Sequence, residues 1–296
     1  MDRIPMAFND ALVEQLPDSE VGDIMLLKAP NLVFSATTYL ANRVVFRLHM
    51  WFCSSDAITK TCYTRMDGST QKPFIYPLGS TTGVECRYIR IGELVVEPDR
   101  FNVTKGEYFC DLNKCFYEVA VFHTAKIKLV FNPEDGYSNI MCDYLLNRDI
   151  VKVPFRFLQI MKDGSPNLIQ LIDRFGQHGL IQHVQLCGHW NDPQLFPTLS
   201  TFMDKNPLIE LVILDIEEFT EEFLQKLRTH WQEVARSDFI VNIHVREQLN
   251  KAAVRRAFGG GFSVDGVSPY KLKVDFYKRG HRLTRLTHLM HVGTCL

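Results

Sequence analysis

The chain has 296 residues, of which 46% are hydrophobic and 23% are charged, and its formal net charge is -1. This length and composition allow a large buried core and predict a globular protein. The near-neutral charge gives no long-range attraction to phosphate backbones or anionic membranes, so neither nucleic acid nor a membrane surface is expected as the main partner.

The first residues argue against a secretory signal. Polar and charged residues interrupt each run in which the unbroken apolar core of a signal would have to lie: Asn9, Asp10, Glu14, Gln15 and Asp18. No stretch approaches the ~20 apolar residues of a membrane span. We therefore expect a cytoplasmic or nuclear protein whose eight cysteines are reduced.

Residues 1–43 are predicted to form a module of short helices. Phe8, Leu12 and Leu16 recur at helical spacing and mark one apolar face of the first helix. Helices of about ten residues bury little apolar surface alone, so the module is expected to need a partner. The prolines that delimit the helices are Pro5, Pro17 and Pro30.

The segment 44–150 is predicted to be rich in β-strands. Val, Ile, Phe and Tyr are frequent in it, several stretches alternate apolar and polar residues, and turn residues separate these stretches. Because the connections look too short for crossover helices, we expect antiparallel pairing. The predicted strands lie at 44–53, 84–96, 115–123 and 126–131.

Residues 151–296 contain an internal pattern. The stretches GLIQHVQL (179–186) and PLIELVIL (207–214) align at a spacing of 28 residues, and DFIVNIHV (238–245) follows 31 residues later. A helical stretch precedes each one, which is typical of stacked βα units similar to irregular leucine-rich repeats. Two further strands are expected at the C-terminal edge, at 270–277 and 281–289.

These regions together predict an α+β fold class. The expected architecture is a helical module, then an antiparallel β-rich region, then βα units that resemble leucine-rich repeats. The predicted domains are 1–43, 44–150 and 151–296.

The sequence lacks the motifs that mark common catalytic sites. It has no GxxxxGK[ST] phosphate loop, no GxSxG elbow, no HExxH zinc helix and no GxGxxG after a strand. His183, Cys187 and His189 would share one side of a strand and are candidate metal ligands, but no CxxC or HxxxH pair accompanies them. The other interpretation is the solvent side of a half-buried strand. We expect no catalysis, no cofactor and no metal.

The N-terminal residues resemble an F-box. F-box segments begin with a Leu-Pro-like pair and continue through apolar helices, and Ile4-Pro5 stands in the first place. The start MDRIPMAF and the whole-chain layout are similar to the divergent nematode F-box and F-box-associated proteins. The residues that would bind the partner are Ile4, Pro5, Phe8, Leu12, Val13, Leu16, Ile24 and Leu27.

The resemblance implies a function in protein recruitment. The N-terminal helices would dock on the adaptor subunit of a cullin-RING ubiquitin ligase, and the C-terminal region would bind an unknown target protein. Two other interpretations stay open. An orphan binding protein with a degenerate F-box is favoured by the absence of a tryptophan from Tyr39 to Arg43. A metal-dependent enzyme would use His183, Cys187 and His189.

Overall fold

The computed structural model describes residues 5–16, 18–52, 58–66, 88–98, 109–111, 126–131, 137–147, 153, 155–161, 166–177, 179–216, 219–233, 239–246, 251–258 and 271–276. The chain divides into two compact units. The first unit comprises Met1–Trp51, Ala57–Val95 and Val103–Ala125. The second comprises Phe52–Asp56, Val96–Asn102 and Lys126–Leu296.

The first unit begins with helices that prolines separate. They are α1 (Met6–Gln15), α2 (Asp18–Ile24) and α3 (Pro30–Asn42). Pro30 occupies the first turn of α3, where its missing N–H costs nothing because that donor has no partner within the helix. The helices share a core of buried side chains: Val13, Val21, Ile24, Ala36 and Tyr39.

The strands that begin in the first unit follow the helices. They are β1 (Val44–Phe52), β2 (Ile58–Arg65), β3 (Ile89–Pro98) and β4 (Phe109–Asp111). Their order in the sheet is β3-β1-β2-β4, and β4 pairs with β2 in antiparallel fashion. Alternate residues of β1 are buried, as expected for a strand with one face on a core: Phe46, Leu48 and Met50.

The second unit alternates strands and helices. Its strands are β5 (Lys126–Val130), β6 (Phe157–Met161), β7 (His183–Cys187), β8 (Glu210–Ile216), β9 (Phe239–Val245) and β10 (Lys271–Phe276). The helices between them are α4 (Tyr137–Leu146), α5 (Pro166–Gly176), α6 (Leu195–Lys205), α7 (Glu221–Glu233) and α8 (Lys251–Phe258).

The strands β5 to β9 are parallel and stand in chain order, and β10 pairs with β9 in antiparallel fashion. One face of these strands is buried in rows that cross the sheet, of which one comprises Ile127, Leu158, Val184, Leu211 and Val241. Helices cover this face, because the ring of His230 in α7 packs edge to face on the ring of Phe239 in β9. Each helix from α4 to α8 also contacts the next helix in the chain. This arrangement is an α/β fold.

The predicted α+β fold class is therefore wrong, and so is the antiparallel β-rich region that it placed at 44–150. The segment 126–131 supplies β5, which pairs in parallel with β6. The connection from Val130 to Phe157 contains α4 and is long enough for a crossover helix. The prediction that the connections in this region are too short for crossover helices is therefore wrong here. The residues Pro133 to Gly136, which precede α4, were counted among the turn signals between predicted strands.

The stretches of the internal pattern contain β7, β8 and β9, with α5, α6 and α7 before them. β10 lies within the expected strand at 270–277. The predicted strands at 115–123 and 281–289 lie outside the described residues. In the part of the chain that the structure describes, no helix combines the length and the apolar character needed to cross a membrane.

Candidate functional site

Helix α1 has two different apolar faces. Val13 is completely buried in the core of the helical module, and Leu16 packs against that core. Phe8 and Leu12 lie one turn apart on another face, where 56% and 37% of their surfaces are exposed. A helix that stabilises its own module through one face can offer the other to a partner.

Further large apolar side chains of the helical module are exposed. Leu26 is 83% exposed, and Phe34 of α3 is 61% exposed. The hydroxyl of Ser35 lies 3.6 Å from the sulfur of Met6, which brings the start of α1 next to α3. We call the exposed set the N-terminal apolar surface: Met6, Phe8, Leu12, Met25, Leu26, Leu27 and Phe34. Exposed apolar side chains that form a contiguous patch are typical of interaction sites.

The predicted partner-binding residues occupy three environments. Pro5, Phe8, Leu12 and Leu27 are exposed and available to a partner. Leu16 is half-buried against the core of the module. The two residues that lie within that core and support the surface from below are Val13 and Ile24. Ile4 lies outside the described residues.

Arg90 connects the helical module to strand β3, and sequence reasoning missed it. Its side chain is 8% exposed, and its guanidinium lies 5.1 Å from the ring centroid of Tyr39 in α3. One of its N–H groups donates to the carbonyl of Glu14 in the last turn of α1, where carbonyls lack helical partners. The exposed surface of α1 is therefore held on a fixed support. A lone arginine in a strand carries no sequence signal for this role.

The second unit has an open sheet face opposite its helices. A row of side chains crosses four neighbouring strands on this face: Lys126, Phe157, His183 and Glu210. The Lys126 Nζ lies 4.6 Å from the Phe157 ring centroid. The Phe157 and His183 rings stack with centroids 5.4 Å apart, and His183 Nδ1 is 3.0 Å from Glu210 Oε2. Each side chain of the row is thus held by its neighbours.

The three candidate metal ligands turn to different partners. His183 bonds to Glu210 as described, and His189 Nδ1 lies 3.9 Å from Asp215 Oδ1. Cys187 ends β7 as a half-buried thiol that forms no disulfide. Among the described residues, no three His, Cys, Asp or Glu side chains are placed to hold a metal ion together.

Asp215 lies at the carboxyl end of the parallel strands, in a left-handed backbone conformation that few residues other than glycine adopt. Its φ is 71°, and the register between β8 and β9 shifts at this point. Its carboxylate accepts two hydrogen bonds from Arg246, and these hydrogen bonds lower the pKa of Asp215. The pair fixes the irregular end of β8 to the end of β9.

Asn206 is a second residue that sequence reasoning missed. It is completely buried after α6, and its Oδ1 accepts a hydrogen bond of 3.0 Å from the Ile181 N–H. Its Nδ2 donates to the carbonyls of Gly176 and Phe202, at 2.8 and 2.9 Å. The side chain therefore joins two helix ends to the chain before β7. The one feature of the sequence that could have indicated this role is the position of Asn206 directly before the apolar stretch at 207–214.

Comparison of the chain with protein-family models, with curated proteins and with solved structures finds no match.

Proposed function

We propose that this protein is a non-catalytic adaptor, in which the N-terminal helices dock on the adaptor subunit of a cullin-RING ubiquitin ligase and the rest of the chain recruits a target protein. The observation that carries the proposal is the N-terminal apolar surface. Such a function requires a cytoplasmic or nuclear location, which we propose with it.

The exposure of the apolar side chains supports a docking function. Removing apolar surface from water is favourable by about 25 cal/mol per Å², so Phe8 and Leu12 are well suited to anchor an interface. A stable interface buries about 1,600 Å² in total, which requires more than one helix. The N-terminal apolar surface draws on α1, on α3 and on the segment after α2.

The support beneath the surface is the second argument. Val13 and Ile24 hold the helices together from within, and Arg90 joins α1 to α3. A surface whose backbone is already fixed loses less conformational entropy on binding than a flexible segment does. This rigidity favours recognition of a defined partner.

The experiment measures binding of the purified full-length chain to the purified ligase adaptor subunit by titration calorimetry. Phe8→Asp and Leu12→Asp are expected to weaken binding at least tenfold, because each places a charge in an apolar interface. The matched control is Leu180→Asp, which adds the same charge at a leucine that is 46% exposed in the second unit. It should bind as the original chain does.

Binding that is unchanged in both α1 variants would contradict the proposed surface. Absence of binding by the unmodified chain would contradict the ligase function and favour the second candidate, a binding protein without a ligase role. The observation that favours this second candidate is the sequence from Tyr39 to Arg43, where the F-box tryptophan is absent.

A further inference from the structure

We propose that the N-terminal apolar surface binds a second copy of the same chain through α1, so that a symmetric dimer covers this surface whenever no other partner occupies it. The dimer would regulate the docking site of the proposed function, and that consequence rests on the proposed function. The evidence for the dimer itself lies in the helical module alone.

The helical module exposes apolar area on the scale of a protein interface. At about 200 Å² for a fully exposed large apolar residue, the side chains of the N-terminal apolar surface leave on the order of 700 Å² in contact with water. Each partner in a stable interface buries about 800 Å². The exposed area is therefore sufficient for one half of a stable dimer.

The exposed side of α1 combines large and small apolar residues. Phe8 and Leu12 alternate with Ala7 and Ala11, and all four residues are exposed. Residues three or four apart lie on the same side of a helix, so these four form one apolar strip. Asp10 is half-buried and lies two positions from both Phe8 and Leu12, which places it on a different side of the helix. The strip therefore carries no charge that would repel a copy of itself.

Two such strips fit each other in antiparallel orientation. When the pairing is centred between positions 9 and 10 of α1, Phe8 of one copy lies opposite Ala11 of the second copy. In the same pairing, Leu12 lies opposite Ala7. Each large side chain then fills the space beside an alanine, so the two helix axes can approach to about 8 Å. The contacts occur twice by symmetry, and the association closes at two copies.

The charge of the chain favours a second copy over a membrane as the occupant. The formal net charge is -1, so two copies repel each other only weakly at long range. Helices that lie on a membrane surface carry Lys and Arg on their polar side. Helix α1 has two acidic residues and no basic residue, and anionic lipids would repel it.

The dimer would control docking by mass action. The surface that pairs the two copies is the surface that binds the ligase adaptor in the proposed function, so the two associations exclude each other. The adaptor subunit has to separate the copies before it binds. Its apparent affinity is therefore expected to fall as the concentration of the chain rises.

The test is sedimentation equilibrium of the purified full-length chain over a wide range of concentration. The unmodified chain is expected to be a dimer at micromolar concentration and to dissociate on dilution. Phe8→Asp should raise the dissociation constant of the dimer by about tenfold or more, because it places a charge within an apolar interface. Leu180→Asp, at an exposed leucine of the second unit, is the matched control and should leave the constant unchanged.

The variant Ala11→Trp separates specific pairing from general apolar association. It adds exposed apolar area to α1, so non-specific association would become stronger. In the proposed pairing the larger side chain collides with Phe8 of the second copy. The dissociation constant of the dimer should therefore rise by about tenfold or more, as overpacking of a close contact does.

Four results would overturn the proposal: a monomer at every concentration, a dimer that Phe8→Asp leaves intact, stronger association of Ala11→Trp, or oligomers that grow beyond two copies. These measurements use the chain alone, so a failure of the ligase function stays distinguishable from a failure of the dimer. When the ligase adaptor is added, its complex should contain one copy of the chain. A complex with two copies would contradict the shared surface.

Discussion

One buried arginine fixes the geometry of the helical module. Arg90 donates hydrogen bonds to the carbonyls of Glu14 and Ile89 and lies over the ring of Tyr39. The carbonyl of Glu14 belongs to the last turn of α1, whose negative dipole end favours a nearby cation. The same side chain thus satisfies a helix end and a strand residue.

We expect Arg90→Ala to lower the free energy of unfolding by about 2–3 kcal/mol, because it removes hydrogen bonds of a buried charged group and leaves a cavity. Urea denaturation measures this change. Arg174→Ala is the control, since Arg174 also donates to a helix-end carbonyl, that of Leu146, but is exposed. It should cost less than about 0.5 kcal/mol. Equal costs in both variants would contradict the structural role of Arg90.

A buried histidine makes the stability of the second unit sensitive to pH. His230 is 1% exposed, and its Nε2 lies 3.4 Å from the carbonyl oxygen of Leu208. Burial lowers the pKa of His230 below its ordinary value, although the nearby carbonyl groups and Asp204 partly oppose this effect. The unfolded chain therefore binds a proton more readily than the folded one does.

Neutral His230 favours the folded chain fully when the pH lies above about 6.5, the pKa of this side chain in the unfolded chain. This stabilisation is lost as the pH falls below that value toward the lower pKa of His230 in the folded chain. We expect the free energy of unfolding to decrease between pH 7.5 and pH 5.5, as measured by urea denaturation. His230→Gln should reduce this dependence, although it also lowers stability at both values. If the pH dependence of the unfolding free energy were equally large in the variant, groups other than His230 would cause it.

At the scale of elements, the end of β8 depends on a backbone conformation more than on an ion pair. Asp215 has a φ of 71°, in the region that glycine adopts without cost. Its ion pair with Arg246 is partly exposed, with 36% and 55% of the two side chains accessible, so solvent weakens it.

We expect Asp215→Gly to be more stable than Asp215→Ala by about 1 kcal/mol, because both lose the ion pair but alanine alone has strain at this φ. Thermal and urea unfolding of the two variants measure the difference. An alanine variant as stable as the glycine variant, or more stable, would contradict the left-handed conformation of residue 215.

The elements of the second unit were partly predictable from the sequence. The repeat of similar stretches around Val184, Leu211 and Val241, each after a helical stretch, indicated strands. These three side chains are buried on the covered face of the sheet. The parallel pairing of β5 was missed because the helix α4, which lies in the connection from β5 to β6, was not predicted. Local pattern does not distinguish a strand that pairs with its sequence neighbour from one that pairs across a helix.

The site was predictable to a smaller extent. The spacing of Phe8 and Leu12 identified an apolar face of α1, but the core of the module uses a different face, through Val13. Both faces are apolar, so periodicity alone could not decide which one is buried. The row of side chains on the open sheet face joins residues far apart in the chain, and only strand register brings them together: Lys126, Phe157, His183 and Glu210.

At the scale of the whole molecule, each unit has a core of its own. The first contains Val13 and Tyr39, and the second contains Asn206 within its helical layer. Calorimetry of the full-length chain is therefore expected to show two transitions. Arg90→Ala should lower the midpoint temperature of one transition, and Asn206→Ala should lower that of the other. Each shift should be about 5 °C if the variant loses about 2 kcal/mol of unfolding free energy. A single transition that both variants move equally would contradict separate cooperative units.

The strands β5 to β9 follow one another in the sheet as they do in the chain. Each βα unit therefore contacts the units adjacent to it in sequence, and duplication or deletion of one unit would leave the remaining pairings intact. β10 pairs with the outer edge of β9, so a further parallel strand cannot pair there. A gene that gained a unit before this edge would encode a wider parallel sheet without change to the existing residues.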